Sequence, residues 1–174
     1  MRAAAKPRFH SFLASHGIRI VNAASAPARA RGLAYLADRH VATLATQGAE
    51  GPWAAAVFYV QQDFDLLFLS SPRSRHMLNI ASNARAAAAI QEDCDRWQQI
   101  RGVQLEGVVR TLAGTEALAA RRLYEARFPI ARADGATPPA IAAALDRVGW
   151  FRLEARSAYF IDNSVAFGHR ERIL

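Results

Sequence analysis

The chain has 174 residues, of which 52% are hydrophobic, with a net charge of +7 and a single cysteine. That length suits one domain with a real core. The lone Cys94 excludes an internal disulfide framework and fits a reducing, cytoplasmic setting, and no apolar run reaches the length of a membrane span.

The charge is unevenly placed. Six of the 22 basic residues and none of the acids lie in the first 37 positions, which leaves 16 basic against 15 acidic residues elsewhere. A body so near neutrality does not read a phosphate backbone, so neither nucleic acid nor membrane is expected as a partner. Residues 1–27 are rich in Ala, Arg and Ser, and His16, Arg19 and Asn22 interrupt any secretory core. They are expected to form a basic arm outside a folded domain of residues 28–174. Binding of nucleic acid or anionic membrane by this arm is a separate hypothesis, and it requires salt-sensitive heparin retention that is lost on deletion of residues 1–30.

Helical spacing of Leu33, Leu36 and Ala37 predicts a helix over Ala28–Arg39. Val41–Thr46 and Trp53–Gln61 read as strands around a Gly48–Pro52 turn, the second so continuously apolar that burial on both faces is expected. A short turn leads to the strand Leu66–Leu69. Ser71 as N-cap and Pro72 in the first turn predict a helix over Ser71–Ser82. Ala84–Gln91 and the long Arg96–Leu112 follow as strands. Gly102 and Gly107 inside the latter point to a barrel corner or a ligand against the sheet. Thr115 is expected to cap a helix over Glu116–Arg127, Ala133–Thr137 to loop, and Pro138 to open a helix reaching Arg147. Trp150–Ile161 returns as a strand before a basic tail. Short links make the strands antiparallel, and internal glycines favour closure into a small barrel, so the expected fold class is mainly β with flanking helices.

The segment Asp65–Ile80 carries the chemistry. A strand end with two hydroxyls, Ser70 and Ser71, precedes a helix start bearing Arg75 and His76. Free amides, hydroxyls and cations at a helix N-terminus form a phosphate site, whereas the plainer reading is a capped helix with a solvated basic face. No phosphate-loop, dinucleotide, serine-elbow or metalloprotease motif is present, and none of the five histidines has Cys, Asp or Glu at metal-ligand spacing, so no metal is expected. Cys94 sits beside three acids that disfavour a thiolate, and Trp53, Trp97 and Trp150 read as core or interface residues.

Two stretches resemble a known family. Phe68-Leu69-Ser70-Ser71-Pro72-Arg73-Ser74-Arg75-His76 is similar to the strand-to-helix segment of the pyridoxamine 5′-phosphate oxidase-like split barrels, and Arg101-Gly102-Val103-Gln104-Leu105-Glu106-Gly107 to their later strand. Ile100–Gln104, Arg127–Arg132 and Asp162–Gly168 resemble the bacterial YhbP-type subgroup. The resemblance implies a six-stranded antiparallel split barrel and a homodimer, with FMN in grooves between protomers. It implies that Ser70, Ser71, Arg75 and His76 hold the phosphate and ribityl chain. Ala55, Ala56, Val57, Phe58 and Tyr59 would run beside the flavin, and Gly102 and Gln104 would approach the flavin bound mainly by the partner. The family's Arg and Lys on the second strand are missing, as is its late Arg-Leu-His-Asp-Arg substrate motif. Pyridoxal phosphate synthesis is therefore not expected, and FMN affinity should be weaker by roughly 1.5–3 kcal/mol per lost charge-assisted bond.

The expected function is a flavin-dependent oxidoreductase acting on an unknown small molecule, with no general acid or base assigned. The alternatives are a non-catalytic flavin- or haem-binding module, with His169 reaching the iron, and a deazaflavin-dependent reductase.

Overall fold

The computed structural model describes residues 20–21, 25–129, 138–145 and 147–174. In chain order the elements are β1 (Ile20–Val21), α1 (Ala26–Asp38), β2 (Val41–Gly48), β3 (Gly51–Gln62), β4 (Asp65–Ser70), α2 (Arg75–Ser82), β5 (Arg85–Gln91), a 3-10 turn (Trp97–Gln99), β6 (Arg101–Leu112), α3 (Gly114–Arg127), α4 (Pro139–Leu145), β7 (Gly149–Asp162) and β8 (Arg170–Arg172).

Six strands close into a ring in the order β7, β4, β3, β2, β5, β6, with β6 pairing back onto β7, and every pairing is antiparallel. This is the expected six-stranded barrel. Short β8 adds to the β7 edge, and β1 pairs in parallel with β8, so Ile20 and Val21 join the sheet. Tight turns make the antiparallel order possible: Gly51 and Asp63 adopt positive φ at the two hairpins flanking β3.

Alternation along the strands fills the barrel with Leu44, Tyr59, Leu66, Phe68, Ile90, Val103 and Leu153, all essentially inaccessible. Helix α1 lays Ala28 and Leu36 onto this core. The Tyr59 hydroxyl, deep in the barrel, donates to the Leu36 carbonyl at 2.7 Å and ties strand to helix. The anticipated barrel corner is at Gly107. The β6–β7 register shifts there, and a Cβ on Gly107 would lie 1.9 Å from the Glu154 carbonyl oxygen. Gly102 is demanded by the adjacent strand, where a Cβ would meet the Ile90 carbonyl oxygen at 2.8 Å.

Several expectations are corrected. Helix α2 starts at Arg75 with Ser74 as N-cap, not at Ser71. Ser71 to Ser74 first closes a tight turn, with the Ser74 amide on the Ser71 carbonyl at 3.0 Å, and Pro72 sits inside that turn. Helix α3 begins at Gly114 with Ala113 as its cap, so Thr115 lies inside the helix. Strand β3 is not buried on both faces: Trp53 and Phe58 are 41% and 55% exposed. Helix α1 starts at Ala26 behind a Ser25 cap that accepts from the Ala28 amide. The loop expected at Ala133–Thr137 lies outside the described residues.

Candidate functional site

The end of β4 and the start of α2 bring one of the two expected hydroxyls, Ser70, together with the imidazole and with Ser74. Ser70 is buried, with its Oγ 2.6 Å from His76 Nε2 and 3.3 Å from Ser74 Oγ. Ser74 Oγ lies 3.2 Å from the same imidazole nitrogen and donates to the Ser71 carbonyl at 2.8 Å. Ser71 Oγ accepts from the Arg73 amide at 3.4 Å. Among the described residues, the Arg75 and His76 amides have no backbone acceptor, as the first turn of a helix requires. Burial pushes the His76 imidazole below its ordinary value, which favours the neutral ring near pH 7.

Ser74 is the residue that sequence reasoning missed. It stands in the quoted Ser-Arg-His segment, but the cap had been placed at Ser71. A proline followed two residues later by serine was the available signal, since the turn needs Pro72 and the helix then needs a new cap.

Helix α2 is seated by a buried polar contact. Asn79 Nδ2 donates to Thr46 Oγ1 on β2 at 3.1 Å, and Thr46 Oγ1 donates on to the Trp53 carbonyl at 3.4 Å. Arg75 turns toward β3. Its guanidinium covers the Trp53 ring at 4.3 Å, donates to the Glu50 carbonyl at 3.2 Å and lies 3.7 Å from the Glu50 carboxylate. The junction is thereby held beside the N-terminal half of β3.

That half of β3 has an unusual edge. Gly51–Phe58 pairs with β2, but β4 takes up only Tyr59–Gln62. The Tyr59 amide donates to the His40 carbonyl on the β2 side. Strand alternation then turns the amides of Ala54, Ala56 and Phe58 to the other edge, where no described strand pairs. Ala55 and Ala56 are small and at least partly accessible, whereas the Val57 and Tyr59 side chains are buried in the core. Of the five residues expected to flank a ring, Val57 and Tyr59 are corrected: their side chains are buried and their amides face β2, so they offer nothing to that edge.

Gly102 and Gln104 lie on β6, away from the hydroxyl cluster of their own chain. Gly102 is buried, while Gln104 lines an outer groove of about 360 Å³ with Thr43, Ala87, Ala89, Tyr159 and Arg170. A second groove, of about 570 Å³, adjoins it through Ala45, Ala87 and Glu106 and is rimmed by Arg85 and Arg156.

The Asp162–Gly168 segment is firmly built. Buried Asn163 donates to the Trp97 carbonyl at 3.0 Å and accepts from the Gly168 amide at 3.1 Å. Burial alone would raise the Asp162 carboxyl, but the Ser164 hydroxyl and amide and Arg101 outweigh it and hold the group below the usual range. His169 is not solvated in the way a tail residue ordinarily is. Its Nε2 is 3.0 Å from Glu171, and both side chains are only 16% exposed. Among the described residues no group of three or more His, Cys, Asp or Glu is placed to hold a metal ion, and no helix is long and apolar enough to cross a membrane.

Ser74 Oγ donates its proton to the Ser71 carbonyl, which leaves the Ser70 and Ser71 hydroxyls, the imidazole and two free amides as hydrogen-bond donors for an anion with several acceptor oxygens. The donor set fits a phosphate monoester, and the adjoining unpaired β3 edge offers amides to a planar ring with acceptors along its rim.

The family model for pyridoxamine 5′-phosphate oxidase matches residues 30–162. The YhbP protein of Salmonella paratyphi A is 32% identical over 138 residues, covering 78% of this chain and 86% of that protein. The haem binding protein from Mycobacterium smegmatis shares 25% identity and a TM-score of 0.64, covering 87% of this chain. This chain spans 59% of that longer one. The haem storage protein HutZ from Vibrio cholerae, at 20% identity and a TM-score of 0.56, covers 71% of this chain and 86% of its own and shares the fold.

Proposed function

Because the chain belongs to the pyridoxamine 5′-phosphate oxidase family, we propose that it binds FMN as a homodimer and serves as a flavin-dependent oxidoreductase for a small molecule. The observation that carries this reading is the convergence of Ser70, Ser74 and His76 at the β4–α2 junction, next to the unpaired edge of β3. Ser70, Ser71 and His76 would hold the phosphate, with Ser74 positioning the imidazole and the Arg75 and His76 amides completing the cradle. Arg75, stacked on Trp53, would add positive charge from the side. The amides of Ala54, Ala56 and Phe58 would meet the ring edge, and the small side chains of Ala55 and Ala56 would let the ring approach closely.

When bound, the flavin would supply the redox chemistry. The chain's own part is to bind, orient and exclude water. Exposed Val41 and Phe58, directly opposite each other on β2 and β3, support a dimer that covers this face, because neighbouring exposed apolar side chains mark an interface. Synthesis of pyridoxal phosphate is not proposed, since β3 carries neither Arg nor Lys.

The test is the visible spectrum of purified protein before and after FMN loading and gel filtration. A flavin band co-eluting at dimer mass is expected, followed by NADH or NADPH oxidation. Colourless protein after loading would overturn the reading and lead to deazaflavin trials.

A second reading, haem binding, is favoured by the likeness to the Mycobacterium smegmatis protein and by the state of His169. A carboxylate on one ring nitrogen is the arrangement that orients a metal-ligating histidine, and Glu171 holds His169 in this way. A Soret band on haem addition that is lost in His169→Ala would support it; no spectral change in wild type would rule it out.

A further inference from the structure

We propose that His76 makes recognition of the ligand phosphate proton-linked, so that the pocket prefers FMN to riboflavin strongly below neutral pH and only weakly above it. The inference rests on the FMN reading of the β4–α2 junction and goes beyond it by assigning the charge that the phosphate meets.

The geometry leaves His76 as the one group of the cradle that can change its charge. Ser70 Oγ and Ser74 Oγ both lie on its Nε2, at 2.6 and 3.2 Å, and neither hydroxyl titrates. The elements packed against α2 supply no rival. β2 has no ionisable residue, and β3 has only Tyr59, whose phenol is buried on the Leu36 carbonyl. The sole ionisable residue of β4, Asp65, is at the far end of the strand beside Arg152. Around the junction, Arg75 is engaged by Trp53 and Glu50, and Arg110, which shares a groove with Pro72 and Met77, is tied to Glu116 and Glu154. Exposed Arg73 is permanently charged and so adds a pH-independent attraction.

In the free pocket, burial favours the neutral ring. A phosphate placed on Ser70 reverses the balance. Its charge favours an imidazolium whose Nε2–H donates to Ser70 Oγ, freeing the Ser70 proton to point at the phosphate. Binding therefore takes up a proton, and by linkage affinity rises as pH falls. The phosphate's own second ionisation, near pH 6, opposes this at the acid end, so affinity should pass through a maximum and fall on either side of it.

The test is FMN and riboflavin affinity, by quenching of flavin fluorescence, between pH 5.5 and 8.5 for wild type, His76→Lys and His76→Gln. Wild type should lose about tenfold or more in FMN affinity between pH 6 and 8, the scale of one charge-assisted hydrogen bond. Riboflavin should bind with little pH dependence, His76→Lys should hold FMN tightly across the range, and calorimetry in two buffers should show proton uptake by wild type alone. If FMN binds wild type and His76→Gln with superimposable pH profiles, the proton link is overturned while the cofactor reading stands. If no variant binds FMN at any pH, both fall together.

Discussion

Arg75 lies over the indole of Trp53, its guanidinium carbon 4.3 Å from the ring centroid, while its Nη2 donates to the Glu50 carbonyl. The first residue of α2 is thus pinned to the start of β3, and the two halves of the candidate flavin site become one surface. An exposed cation–π contact is worth about 0.5–1 kcal/mol. Trp53→Ala is accordingly expected to release Arg75 and weaken FMN binding roughly two- to fivefold. Fluorescence titration beside an unchanged melting curve would check it. Unaltered affinity would mean that Arg75 reaches the ligand without help from the indole.

Phe58 is 55% exposed, yet its ring meets Phe128 edge-on at 5.3 Å. An aromatic residue half in water on a strand with an unpaired edge is what a protomer contact would cover. Phe58→Asp should shift the protein from dimer to monomer in sedimentation velocity, with flavin retention lost in parallel. A monomeric wild type that still binds FMN would remove the dimer from the proposal.

The Tyr59 hydroxyl makes a buried bond of 2.7 Å to Leu36. Tyr59→Phe leaves that carbonyl without this partner, at a cost of about 1–3 kcal/mol in denaturant unfolding at neutral pH. Burial also raises the Tyr59 phenol well above its ordinary value of 10.0. A raised value in the folded state means stability that is complete below about pH 10 and is lost as pH climbs toward the folded value. Tyr124, pushed up by burial to about 12, adds to the same alkaline loss. Urea midpoints at pH 8, 10 and 11 should fall steeply for wild type and less steeply for Tyr59→Phe. Parallel curves would show that the phenol does not govern alkaline stability.

Gly107 faces the Glu154 carbonyl so closely that a Cβ would sit 1.9 Å from its oxygen. Both atoms belong to backbone in the longest strand pair, so relief requires moving the β6–β7 bulge. Gly107→Ala is expected to cost about 3 kcal/mol or to prevent accumulation of soluble protein. A melting temperature within a degree or two of wild type would show that the bulge yields easily.

How far the sequence could be read depended on the range of the forces involved. Alternation such as Val103 and Leu105 located strands because pleating is local, and short polar links fixed the antiparallel sense of neighbouring strands. Ser70, Ser71, Arg75 and His76 could be picked out as a candidate anion site for the same reason, since hydroxyls and cations at a strand-to-helix junction need only a few neighbouring residues to have meaning, but the turn of Arg75 toward Trp53 could not. The cap was misread because two local preferences competed. Pro72 suits both a first helical turn and a tight turn, and the tight turn prevailed, passing the cap to Ser74.

The sequence by itself determined the mainly β barrel class and the antiparallel sense of its neighbouring strands, since these follow from pleat and turn over short stretches, whereas the pairing of β2 with β5 and of β7 with β4 and β6 needed the closed ring. Only the tertiary structure decided which parts of β3 face water. An apolar strand looks alike whether its outer face meets a helix, a partner or solvent, and nothing within Trp53–Phe58 distinguishes them. The same holds for the approach of Arg75 to Trp53 and of Asn163 to the Trp97 carbonyl, 66 residues apart in the chain. Such contacts form only when barrel closure brings distant backbone together, and their geometry is set by the whole ring of strands rather than by either residue.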